Sequence, residues 1–377
     1  MLEPKIEISH PKILSNLNLI KERLDENVKI MAVVKSNAYG HGMVDVSKTL
    51  EPYVDMLAVG FLEEGIKLCD FVKKDIFIMG PTYDFDIVLE HNFVFTLESV
   101  HQFNALIHFY DMKLKDSDQK LRMHIKVDTG MHRFGMNVEE VEEIMNIIDN
   151  KKASDNLVIE GVYSHFGTTM LTDPKKVEEQ YEVFKKVKQY IKNHYDLPII
   201  YHISNSENGV DTNKYNEGMV RIGNGLYGPM SLKNPLKTEN VARLMLPIAS
   251  IHVLKEKSKF GYGFKKKAKK GTRLGAVKTG FYEGTGMSKM PIGLSLFETI
   301  KHFGKALIKS LISKESVKYG SLTLPIVGMI NMQFFQVDLT GTDIMVGDFV
   351  EYKKAPLYFK ESVERVHLLE ERNETYN

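Results

Sequence analysis

Cysteine is all but missing from this sequence. One residue of 377, Cys69, is a cysteine. That excludes an intramolecular disulfide and points to a reducing, cytoplasmic compartment. A surplus of charge is missing as well, since 50 Lys+Arg against 49 Asp+Glu leave a formal net charge of +1. Binding to a phosphate backbone draws on a basic surplus, so no nucleic-acid partner is expected. No stretch approaches the ~20 apolar residues of a membrane span, and no signal-peptide h-region opens the chain, so no membrane partner is expected either. What remains is the make-up of a soluble globular protein, 43% hydrophobic and 26% charged. Its length suits about two domains at ~150 residues each.

Short apolar runs alternate with amphipathic stretches through the first two-thirds of the chain. Val28–Lys35, Met56–Gly60, Ile76–Gly80, Phe93–Leu97, Leu121–Val127, Leu157–His165, Ile199–Ile203 and Met219–Ile222 read as strands. Helical patterns such as Met43–Leu50, Val100–Tyr110, Val138–Asp149 and Lys175–His194 fall between them. Strands rich in β-branched residues that alternate with helices predict βα units and a parallel sheet. Eight units in about 200 residues match a closed (β/α)8 TIM-like barrel, with an open doubly wound sheet as the alternative. From about Arg243 short strand runs follow one another without regular helices: Ala249–Leu254, Arg273–Lys278, Ser321–Gly328, Gln336–Leu339 and Phe349–Tyr352. The fold class is therefore α/β, with a barrel over 10–240 and a mostly-β domain over 241–377 that also takes the extreme N-terminal residues. A helical insertion is expected over Ser295–Ser313, and the charged tail after Arg365 is expected to fray.

In a barrel the chemistry gathers at the C-terminal ends of the strands. Those positions hold Lys35, then Lys126 and Arg133, then His165, then His202 and Ser206, then Arg221-Ile222-Gly223. A lysine that ends an apolar strand is pushed by burial towards the neutral amine, a nucleophile for carbonyl carbons or a general base. A lysine snorkelling to solvent is the plainer alternative. The Gly223-Asn224-Gly225 turn offers backbone N–H groups where barrels often seat a phosphate, and beside Lys35 it suggests a phosphorylated aldehyde cofactor. His202 reads equally as a satisfied core histidine, His41 as a loop residue, and Lys265–Lys270 as a solvated face or an anion-steering patch.

Ala32–Gly42, with Lys35-Ser36-Asn37-Ala38-Tyr39-Gly40 at its centre, closely resembles the cofactor-lysine signature of the alanine racemase family, which uses pyridoxal phosphate. Lys126–Gly135 and Arg221–Gly228 resemble family motifs in matching order. The resemblance implies a racemase interconverting L- and D-alanine by two bases. Lys35 would carry pyridoxal phosphate and act as one base. Tyr39, Ser206, Ile222 and Gly223 would hold its phosphate, and Arg221 would face its ring nitrogen, braced by His165. Arg133 and the Met332 backbone would meet the substrate carboxylate, with Lys126 at a position some members carry as a carbamate. Tyr262, within Gly261-Tyr262-Gly263, would enter the partner's site as the second base, which makes a homodimer the working unit. No metal is implied.

The match departs from the family at the substrate entrance, where Gln333 follows Met332 and Met329 and Asn331 replace the usual arginine and cysteine. Gly280-Phe281-Tyr282-Glu283-Gly284 stands for the usual entrance turn; no tyrosine aligns with the family's C-terminal phosphate tyrosine, and Tyr358 or Tyr352 is the candidate substitute. A racemase for serine or a basic amino acid and a non-catalytic pyridoxal-phosphate-binding homologue are the alternatives. The related decarboxylases need a β-domain cysteine, whereas Cys69 lies in a barrel helix.

Overall fold

The structure, a computed structural model, describes residues 2–230, 236–264, 266–287, 293, 295, 296, 298–301, 303, 304 and 315–370. The chain divides into two compact units, His10–Val241 and Met1–Ser9 with Ala242–Asn377.

β1 (Lys5–Ser9) belongs to the second unit. The first carries β2 (Lys29–Val33), β3 (Met56–Val59), β4 (Ile76–Ile78), β5 (Val94–Leu97), β6 (Leu121–Lys126), β7 (Leu157–Tyr163), β8 (Ile200–His202) and β9 (Met219–Ile222). They form an eight-stranded sheet in the order β8-β7-β6-β5-β4-β3-β2-β9, and every ladder in it is parallel. Gly218 N donates to Tyr201 O at 2.9 Å and Arg221 N to Ser204 O at 3.2 Å, which ties β9 to β8 and closes the ring. The expected strands are all present, and the closed barrel is realised rather than the open sheet. β3 and β5 are buried at every position because helices cover one face and the barrel interior the other. Met31, Val33, Met56, Ala58, Phe77, Val94, Tyr163 and Met219 fill that interior. Truncating Phe77 to alanine there would cost about 3–5 kcal/mol. Local signals set the helix starts. Asn137 and Glu140 form a capping box ahead of Val138–Asn150, and Asp173 caps Pro174–His194, with the proline in the first turn.

The second unit adds β10 (Ala242–Val253), β11 (Ser258–Phe260), β12 (Lys266–Ala268), β13 (Arg273–Lys278), β14 (Ser316–Tyr319), β15 (Leu322–Val327), β16 (Phe334–Asp338), β17 (Phe349–Tyr352) and β18 (Glu364–Leu368). Its main sheet runs β13-β16-β15-β14-β17-β10-β1-β18, and β10 also pairs with β13. Three features differ from the sequence reading. β10 starts at Ala242 because its register with β1 and β17 recruits Ala242–Pro247 as well. β11 and β12 form a separate hairpin whose lysine-rich sequence conceals its pairing. The tail after Arg365 does not fray at once, since Glu364–Leu368 pairs in parallel with Lys5–Ser9. Much of the expected insertion Ser295–Ser313 lies outside the described residues.

Candidate active site

A cavity of about 240 Å³ opens at the C-terminal end of the barrel, and Lys35, Tyr39, His165, Ser206, Arg221 and Gly223 all line it. A larger cavity of about 500 Å³ opens at the opposite end, where Arg122 is already held by Asp75 and Glu160. The chemistry lies in the smaller one.

Lys35 follows β2 after one residue, Val34. The four residues after it, Ser36, Asn37, Ala38 and Tyr39, have φ of 53°, 54°, 51° and 54°, a left-handed turn made without glycine. Each such residue costs about 1–2 kcal/mol. Hydrogen bonds hold the turn in place: Ala38 N donates to Val34 O at 2.7 Å and Gly40 N to Ser36 O at 2.9 Å. Met43 N donates to Asn37 Oδ1 at 2.7 Å. Burial lowers the proton affinity of Lys35, and Arg133 and Arg221 lower it further against the carboxylate of Glu64.

Arg221 is almost wholly buried on β9. Its Nη1 donates to His202 Nδ1 at 2.8 Å, and its Nη2 to Ser164 O at 2.6 Å and Ile203 O at 3.1 Å. His165 Nδ1 lies 3.2 Å from Nη2. His202 Nε2 in turn reaches His124 Nδ1 at 2.9 Å. Arginine can only donate, so His202 Nδ1 accepts and its Nε2 carries the hydrogen given to His124. Burial and the Arg221 charge push His124 and His165 down to about 3, so the imidazoles around Arg221 are neutral. Burial also brings Arg221 down to about 10, which leaves it charged at neutral pH. Its Nε is buried without a protein partner.

The turn after β9 meets Ser206, whose Oγ accepts from Gly223 N at 3.0 Å. A Cβ at Gly223 would stand 2.6 Å from Tyr39 Oη, so only glycine allows that approach. Ile222 is fully buried and does not line the cavity. Arg133 is exposed on a loop that Asp128 organises by accepting from the N–H groups of Gly130, Met131 and His132 at 3.0, 3.1 and 3.0 Å. Lys126 Nζ lies 5.2 Å from the Tyr163 ring and 5.3 Å from the Phe134 ring. Burial, Arg221 and Arg133 bring its pKa down to about 8.

Tyr262 and Met332 belong to the second unit. Tyr262 stands at the turn of the β11–β12 hairpin between Gly261 (φ 72°) and Gly263 (φ 75°), with 77% of its surface exposed. Met332 is also exposed, and its carbonyl accepts from Tyr282 N at 2.9 Å. Tyr352 is buried and donates to Glu315 at 2.5 Å, which leaves Tyr358 of the two tyrosines considered. His124, absent from the strand-end residues picked out by the sequence, joins the site through His202, whose hydrogen bonds to Arg221 and His124 decide between its two readings. One signal was available: His124 and Lys126 share a face of β6 by strand alternation. Opposite them, a Cβ at Gly161 would sit 2.7 Å from the His124 ring.

A sequence model described as alanine racemase, N-terminal domain, matches residues 8–231, and its C-terminal companion matches residues 241–364. The alanine racemase of Methanococcus maripaludis is 29% identical over 381 residues, spanning 97% of this chain and 91% of that protein. That of Aquifex pyrophilus is 28% identical over 349 residues, spanning 89% and 87%. Among solved structures, alanine racemase of Clostridium difficile 630 superposes with a TM-score of 0.83 at 24% identity, covering 98% of this chain and 96% of the other.

Proposed function

The chain belongs to the alanine racemase family, and from that premise we propose that it interconverts L- and D-alanine with pyridoxal phosphate in a homodimer whose subunits share their sites. The observation that carries the reading is the meeting of Lys35, Arg221, Tyr39, Ser206 and Gly223 around one cavity. These groups fit the cofactor. Lys35 is shifted towards the neutral amine that joins an aldehyde. The orphaned Nε of Arg221 and the close approach that only Gly223 permits beside Tyr39 suit a polar ring and its phosphate. When bound, pyridoxal phosphate supplies an electron sink that makes the substrate Cα–H acidic.

The chain's own groups then divide the work. Lys35 Nζ holds or releases a proton on one face of the substrate. The Tyr262 hydroxyl of the partner subunit does so on the other, and its exposure on a hairpin tip supports that role. Arg221 stays charged at neutral pH and gives its neighbour a hydrogen bond rather than a proton, which favours return of the proton to Cα. The neutral His202 and His165 keep the guanidinium from turning. Arg133 supplies positive charge for a carboxylate. A single cysteine suits a reducing, cytoplasmic setting. Among the described residues no helix is long and apolar enough to cross a membrane.

Following D-enantiomer release from L-Ala, L-Ser and L-Lys by the cofactor-loaded protein tests this reading. Alanine is expected to turn over fastest, and borohydride reduction is expected to label the peptide bearing Lys35. A faster serine or lysine reaction would move the substrate assignment to the altered entrance at Asn331 and Gln333. No product from any of the three would overturn the racemase reading.

A further inference from the structure

The left-handed turn after Lys35 is closed from outside by one carboxylate. Glu64, in the helix Leu62–Cys69 that follows β3, accepts from Ser36 N through Oε1 at 2.6 Å and from Gly60 N through Oε2 at 2.7 Å. One side chain thus ties the residue following Lys35 to the residue following β3. The spacing leaves no slack. A Cβ at Gly60 would meet Glu64 Oε2 at 3.0 Å and Lys35 Cβ at 3.5 Å. Backbone N–H groups aimed at a carboxylate make charge-assisted hydrogen bonds, stronger and more directional than those to a neutral acceptor. Glutamine could keep only one of the two, because its amide nitrogen cannot accept.

We propose that Glu64 is a positioning residue for the lysine base, clamping the strained Ser36–Tyr39 turn so that Lys35 is held at one place in the cavity and beside a negative charge. The proposal rests on the racemase reading for the role of Lys35. Two effects follow from one group. The first is geometric: with the clamp gone, the turn relaxes towards ordinary backbone angles and Lys35 moves with it. The second is electrostatic. Lys35 is faced by the charges of Arg133, Arg221 and Lys126 and by the neutral His165, with Glu64 the carboxylate acting on Lys35 and Glu98 acting on Lys126. Removing that charge makes the amine easier to deprotonate.

The test compares the cofactor-loaded parent with Glu64→Gln and Glu64→Asp. For Glu64→Gln, kcat for L-alanine is expected to fall about 10- to 100-fold, the range of one lost charge-assisted bond, while KM changes less than about threefold. The lower pKa of its kcat/KM profile, and of the cofactor absorbance titration, is expected to drop by about one unit. Hydrogen exchange at Ser36 and Gly60 is expected to quicken while the rest of the barrel keeps its protection. Glu64→Asp keeps the charge and shortens the reach, so it is expected to lose rate but to keep its titration near the parent's. Glu64→Gln with parental kcat and parental titration would overturn the proposal. So would a rate loss matched only by lower melting temperature with both pH curves unmoved, the mark of a merely structural residue. A parent that makes no D-alanine would instead fail the racemase reading, and the exchange comparison would still decide whether the clamp exists.

Discussion

His202 stands between Arg221 and His124, accepting from the one through Nδ1 at 2.8 Å and donating to the other through Nε2 at 2.9 Å. The direction of each bond follows from the guanidinium, which has no acceptor. The row ends at His124 Nε2, which is buried without a partner. His202→Phe keeps the ring's bulk and removes both bonds, stranding a guanidinium N–H and His124 Nδ1. A loss of about 2–4 kcal/mol in unfolding free energy is expected from two unsatisfied buried groups, read from urea midpoints at a constant slope. Racemase turnover should drop with it, because Arg221 loses one of its side-chain braces. An unchanged midpoint would mean the row adds nothing to the fold.

The same histidines make the protein sensitive to acid. Folding lowers the pKa of His124 and His165 to about 3 from 6.5, so the folded state binds fewer protons than the unfolded chain between those values. Stability is therefore complete above about pH 6.5 and falls as pH drops towards 3. Denaturation midpoints at a series of pH values check the sign. His165→Gln, which cannot charge, should flatten the curve in that range.

Lys126 produces the same trend in a higher pH window, by the same rule. Its pKa falls on folding from 10.5 to about 8, so the unfolded chain again holds the extra proton, now between pH 8 and 10.5. Stability should rise with pH across that window, by ~2–3 kcal/mol in total. Lys126→Met should remove the rise and be more stable than the parent at pH 7. A parent curve that is flat between pH 8 and 10.5 would mean that Lys126 is not a free amine of depressed pKa.

At Gly223 the test is steric. A methyl group there would stand 2.6 Å from Tyr39 Oη, inside any tolerable contact, and the phenol must swing away. Gly223→Ala is expected to weaken pyridoxal-phosphate binding about 10- to 100-fold by displacing one polar contact. A fluorescence titration of the cofactor measures it. Tyr39→Phe with Gly223→Ala should recover little, since Cζ at 3.2 Å is still tight and phenylalanine has no hydroxyl to restore the polar contact.

The barrel was legible in the sequence because its physics is local and repeated. Apolar β-branched runs such as Met56–Val59 and Val94–Leu97 must be covered on both faces, and caps such as Asn137 with Glu140 mark where helices begin. Lys35 was legible for the same reason, as a charge at the end of an apolar strand. The partners of these groups were harder to see. His202 and His124 lie 78 positions apart and meet only because β6 and β8 flank β7. Glu64 looks like an ordinary first-turn helix acid until β2 and β3 are placed side by side. β18 hid behind its charges, since Glu364 and Arg365 sit in an edge strand that one neighbour, β1, pairs.

Tyr262 carries the claim that two chains build each site, and mixing variants tests it. Its ring is exposed at a hairpin turn fixed by two positive-φ glycines, where a phenol gains nothing for its own chain's core. Lys35→Ala and Tyr262→Phe should each abolish racemisation in the pure homodimer. Unfolded together and refolded as an equal mixture, about half the dimers contain one chain of each kind. If Tyr262 serves the partner, every such mixed dimer has one site with both bases and one with neither. About a quarter of the parent's turnover should then return. If Tyr262 serves its own chain, no combination restores a complete site and the mixture stays dead. The recovered fraction therefore reads the architecture of the site directly, without requiring the dimer to be seen.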